Sequence, residues 1–131
     1  MPRIAQLPVL AAISAGGALG ALARYGLATI WPHEPGQFPW ATFVTNVSGC
    51  FLIGILMVLV TERRPVHPLI RPFLGVGVLG GYTTFSTYTG DVQRLVAAGE
   101  PRAGLLYLAG TVIAALAAVY AGLTLTRWAA R

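Results

Sequence analysis

The stretch Gly75-Val-Gly-Val-Leu-Gly-Gly-Tyr-Thr-Thr-Phe-Ser-Thr-Tyr88 lies in the middle of an apolar segment. A spanning helix would normally carry leucine, isoleucine and valine there. This stretch carries four glycines and then a run of hydroxyls and aromatic rings. Glycine weakens a helix by roughly 1 kcal/mol relative to alanine, so a Gly80-Gly81 pair followed by β-branched Thr83 and Thr84 is a weak point. Broken backbone inside a bilayer is tolerated only where it is buried in protein or lines a polar cavity. The pattern predicts a helix break over residues 80–84 that builds a site.

The surrounding composition fixes the class. The chain has 131 residues, enough for one domain. It is 56% hydrophobic and 10% charged, with a mean hydropathy of +0.70, where a soluble domain carries about 25% charged residues. An all-α integral membrane protein is expected. The net charge of +5 comes entirely from arginine. Placed at the ends of apolar segments, it suits a lipid bilayer, and no nucleic-acid motif accompanies it. The single Cys50 excludes an intrachain disulfide and reads as a packing residue. Residues 1–23 have the look of a signal peptide, but three further apolar segments follow, and the first is read as a retained span.

Four stretches are long enough to cross a hydrocarbon core: about 7–30, 40–60, 69–97 and 103–126. Prolines mark the connections: Pro32 and Pro35, Pro65 and Pro68, and Pro101. With the termini and second loop on one side, that side carries Arg3, Arg63, Arg64, Arg71, Arg127 and Arg131. The other side has Arg94 and Arg102, with Arg24 close by, offset by Glu34, Asp91 and Glu100. The bias modestly favours cytoplasmic termini.

Within the spans, Gly16 and Gly20 form a G-x-x-x-G pair suited to close helix approach. Gly110, Ala114, Ala118 and Gly122 form a second ridge of small residues in the fourth span. Arg24 either snorkels to the interface or attracts an anion. Thr42 and Asn46 share a helix face; the asparagine amide serves either an interhelical hydrogen bond or a pore. Asp91, beside Arg94, reads as a solvated residue at a helix end.

No histidine lies in a span, and no catalytic set, metal-ligand cluster or phosphate loop is present, so no enzyme is expected. The polar groups are neutral donors: Thr42, Asn46, Ser86, Thr87, Tyr107 and Thr111. To these are added Phe85 and Tyr88, whose ring edges carry partial positive charge. Such groups can replace part of a small anion's water shell without trapping it. A proton-coupled exporter would want a carboxylate deep in the membrane, and no span has one near its middle. Unwound carbonyls at Gly80 and Thr83 suit a hard cation such as sodium. The competing reading is a small membrane scaffold subunit whose polar groups serve packing alone.

At these residues the chain resembles the Fluc (CrcB-type) family of fluoride channels. The matching stretches are Gly16-Gly-Ala-Leu-Gly-Ala-Leu-Ala-Arg-Tyr25, Asn46-Val-Ser-Gly-Cys-Phe-Leu-Ile-Gly54 and Gly80-Gly-Tyr-Thr-Thr-Phe-Ser-Thr-Tyr88. Size and four-span layout match as well. The resemblance implies an antiparallel, dual-topology homodimer with two fluoride pathways in the plasma membrane of a prokaryote. By analogy Asn46 is the pore amide, and Phe85 and Tyr88 are the fluoride-facing rings. Thr84, Ser86 and Thr87 lie along the polar track, which Tyr107 and Thr111 line from the fourth span. Arg24 sits at the vestibule. The backbone carbonyls of Gly80 and Thr83 hold a structural sodium ion. Two departures stand out: the second ring is usually phenylalanine where this chain has Tyr88, and Ala115 stands where a hydroxyl would extend the track.

Overall fold

A computed structural model describes residues 6–63 and 65–131. Arg3 and Arg64, both counted toward the basic side, lie outside these residues. Helix α1 spans Gln6–Ile30 and α2 spans Trp40–Thr61. A π-helix, Arg71–Leu79, runs into the short α3, Gly80–Tyr82; α4 covers Ser86–Ala97 and α5 covers Pro101–Ala129. No strand occurs among the described residues. Three helices, α1, α2 and α5, are long and apolar enough to cross a membrane, with mean hydropathies of 1.5, 2.3 and 2.0. The fold is all-α, and the chain is a membrane protein.

Two tight pairings build the bundle: α1 lies along the π-helix and α3, and α2 lies along α5. Both depend on missing side chains. A Cβ at Gly16 or Gly20 would strike the backbone of Phe73, Val78 or Tyr82, and one at Gly81 would strike Gly17. The G-x-x-x-G pair therefore packs inside the chain, against the third segment. Gly54 and Gly122 form the corresponding crossing of α2 and α5. The small-residue ridge of α5 is used at Gly122 only in part of its length, because a Cβ at Gly110 would meet open space.

The break in the third segment falls later than expected. Gly80 and Gly81 still lie in a helical turn, and the non-helical residues are Thr83–Phe85. Helical bonding persists because the Thr83 N–H and hydroxyl both donate to the Leu79 carbonyl, at 3.0 and 2.9 Å. The backbone then turns extended at Thr83, with φ −79° and ψ 157°.

At the end of the bundle where α2 and α5 terminate, Arg127 Nε donates to both oxygens of Glu62 at 3.0 Å. This fork-shaped contact holds the Glu62 carboxyl below its ordinary range. Arg63 donates to the carbonyl of Ala130, tying the following loop to the same place.

Candidate functional site

The site begins where α2 meets the interruption at Thr83–Phe85. Extended backbone at Thr83 turns the amide groups of Thr84 away from the helix axis. Asn46, buried on α2, receives both: its Oδ1 accepts the Thr84 N–H at 2.8 Å, and its Nδ2 donates to the Thr84 carbonyl at 2.9 Å. A primary amide can donate and accept in this side-by-side fashion without carrying charge. The Thr84 hydroxyl in turn accepts the Thr87 N–H at 3.1 Å and so caps the start of α4. Tyr82 is held against α2 by a 2.8 Å hydrogen bond with Ser48, and its ring covers Gly49.

These bonds change what the backbone offers. In a continuous helix the Gly80 carbonyl would accept from the Thr84 N–H, and the Thr83 carbonyl from the Thr87 N–H. Both donors are diverted, to Asn46 and to the Thr84 hydroxyl. Gly80 and Thr83 line the same groove beside the interruption. Two uncharged oxygens with free lone pairs fit a hard monovalent cation.

That groove has a volume of about 480 Å³ and is also lined by Asn46, Phe85, Tyr88 and Thr111. Phe85 is 76% exposed along it. Tyr88 is buried, with its ring centre 6.0 Å from that of Phe85 and 5.2 Å from that of Tyr107. Thr111 is buried on α5, and its hydroxyl has no hydrogen-bond partner among the described residues. A buried hydroxyl left unpaired is unfavourable by about 1–3 kcal/mol, so it points to a ligand or to water.

A second cavity, of about 290 Å³, lies between α1 and α2 and contains Arg24, Thr42, Thr45, Thr84 and Thr87. The Nε of Arg24 is buried and has no partner among the described residues. Thr84 lines both cavities and so stands between them at the interruption.

Other candidates are placed differently. Ser86 is exposed and lines neither cavity; its hydroxyl lies 3.5 Å from that of Thr84. Tyr107 is fully buried behind Tyr88 rather than on the groove. Its hydroxyl donates to Asp91 Oδ2 at 3.3 Å, while Asp91 Oδ1 accepts from Arg94 at 2.9 Å. Asp91 is therefore no solvated helix end: it is 2% exposed. The loop carrying Pro35, Gly36 and Gln37 walls the cavity beside it, and Arg94 supplies the balancing charge. Thr45, buried three residues after Thr42 on the same face, was missed in the sequence reading.

The comparisons with known proteins agree with this geometry. The family described as "CrcB-like protein, Camphor Resistance (CrcB)" matches residues 11–123. The chain belongs to the CrcB family. A "Fluoride-specific ion channel FluC 2" of Nocardia farcinica is 60% identical over 121 residues, covering 92% of this chain and 86% of that protein. A "Fluoride-specific ion channel FluC 1" of Streptomyces coelicolor is 53% identical over 126 residues, covering 96% and 79%. "Fluoride-specific ion channel FluC 2" of Thermobifida fusca is 55% identical over 114 residues, covering 87% and 84%. Each of these CrcB relatives bears the name of a channel and not of an enzyme. Bacterial relatives and three apolar spanning helices make this CrcB member a multi-pass prokaryotic membrane protein.

Proposed function

We propose that the chain is a fluoride-selective channel giving passive fluoride export across the cell membrane. The observation that carries the reading is the groove that gathers Asn46, Phe85, Tyr88 and Thr111, whose buried hydroxyl has no hydrogen-bond partner among the described residues. Asn46 spends one Nδ2 proton on Thr84 and retains the second for an ion. Neutral donors and ring edges replace water around a small anion while leaving it free to depart. Arg24, lining the neighbouring cavity, draws the anion in from the vestibule. Thr84 and Thr87 carry the polar lining from that cavity toward the groove, and Ser86 lies beside it. Tyr107 supports the track from behind Tyr88.

Residues 1–131 form one four-helix transmembrane domain in this reading. The π-helix, α3 and α4 together make the remaining crossing, interrupted in mid-membrane at Thr83–Phe85. Two copies pair antiparallel and give two pathways. Support comes from the exposed Phe85, which a second copy would cover, and from the charges at the ends of the bundle. Among the described residues, one end carries Arg63, Arg71, Arg127 and Arg131 against Glu62; the other carries Arg94 and Arg102, with Arg24 close by, against Glu34, Asp91 and Glu100. Antiparallel pairing sets the basic end of one copy beside the balanced end of the other. The freed carbonyls of Gly80 and Thr83 would hold a structural sodium ion, whose charge makes the middle of the membrane less hostile to an anion.

A scaffold subunit would account for the Asn46–Thr84 pairing but gives the Thr111 hydroxyl nothing to do. The unaltered chain tests the choice, because a scaffold releases no fluoride, and Thr111→Val tests the observation behind it. The side chains are nearly equal in size, and no bond in the chain is lost. A channel predicts fluoride efflux from liposomes slowed at least tenfold, with an unchanged melting temperature. Unchanged efflux would remove Thr111 from the pathway.

A further inference from the structure

Tyr88 lines the groove, and its hydroxyl is already engaged. It donates to the backbone carbonyl of Leu108 on α5. A phenol has one proton to give. With it committed to Leu108, what the hydroxyl keeps is lone pairs, which repel an anion. The ring is meanwhile held at two further points. Tyr107 packs on it at 63° and Phe85 at 55°, with centres 5.2 and 6.0 Å away. Tyr107 is itself immobilised, fully buried and hydrogen-bonded to Asp91.

We infer that the Tyr88 hydroxyl is a tether to α5 that fixes the ring's orientation, so that the ion meets a held ring edge and never the phenol proton. Tyr88 is thus a positioning residue for selectivity through its hydroxyl. The inference rests on the fluoride-channel reading. A large hydrated anion passes more easily once the ring can tilt aside; fluoride depends less on the tether because Asn46 and Thr111 also serve it.

The test is efflux from liposomes containing the full chain or Tyr88→Phe, measured over a range of fluoride concentrations and with chloride. The tether predicts a half-saturating fluoride concentration changed by less than about threefold, and a chloride-to-fluoride ratio raised at least fivefold. A hydrogen bond to a charged partner is worth roughly tenfold or more in affinity. A half-saturating concentration raised that far therefore puts the hydroxyl on the ion and overturns the inference. An unchanged chloride ratio overturns it equally. Should Tyr88→Phe fail to fold, 3-fluorotyrosine at position 88 keeps the ring and makes the hydroxyl a stronger donor. Half-saturation then stays put if the proton belongs to Leu108, and falls if it belongs to fluoride. The carbonyl carbon resonance of Leu108 should also shift between the tyrosine and phenylalanine forms; no shift means no tether. If the unaltered chain passes no fluoride, the channel reading fails instead, which separates the two failures.

Discussion

Replacing Asn46 by aspartate keeps an oxygen for the Thr84 N–H but removes the N–H that meets the Thr84 carbonyl. It also sets a negative charge on the groove. Asn46→Asp is expected to lower stability by about 1–3 kcal/mol and to abolish fluoride efflux while gel filtration still shows the native assembly. Loss of assembly alone would assign the amide to packing. The sequence makes Asn46 and Thr84 conspicuous one at a time, as an amide in an apolar span and a hydroxyl beside a glycine pair. Their pairing spans 38 residues and is invisible to local pattern. The same holds for Asp91, whose burial depends on a loop from the other end of α2 and on Tyr107 from α5. Near the end of an apolar segment, a buried and a solvated aspartate look alike.

At the scale of elements, the glycines locate the weak stretch but not the residue at which helical bonding ends. A helix stops where its N–H groups find other partners, and Asn46 and the Thr84 hydroxyl supply those partners one turn after Gly80. The spans over α1 and α2 were legible nearly to the residue, because proline-rich connections bound long apolar runs. The π-wound stretch was not, since its composition also suits an ordinary helix. The glycine interface between α1 and the third segment predicts a contrast. Gly20→Val forces side chain against backbone and should destabilise the protein by about 1–3 kcal/mol or more, seen as a lower melting temperature. Gly110→Val meets open space and should leave the melting temperature nearly unchanged. Equal effects would mean that close approach does not hold α1 in place.

The whole molecule turns much apolar surface outward. Leu105, Ile113, Leu116 and Tyr120 on α5, and Leu19 and Leu22 on α1, are all exposed. Lipid can cover scattered residues of this kind. The groove beside the interrupted backbone at Thr83–Phe85 needs protein against it, which is the reason for proposing a second copy. A protease-sensitive tag after Arg131 checks the orientation. In sealed vesicles, antiparallel pairing predicts that external protease removes half the tags; removal of all or none would mean parallel insertion.

Fluoride handling itself is tested most directly with purified protein in liposomes loaded with potassium fluoride or potassium chloride. Valinomycin is added so that potassium can follow the anion. Rapid release of fluoride with chloride retained is the predicted result, because the groove offers small neutral donors and ring edges in place of a fixed buried charge. Release of both anions at equal rates, or retention of both, would contradict it.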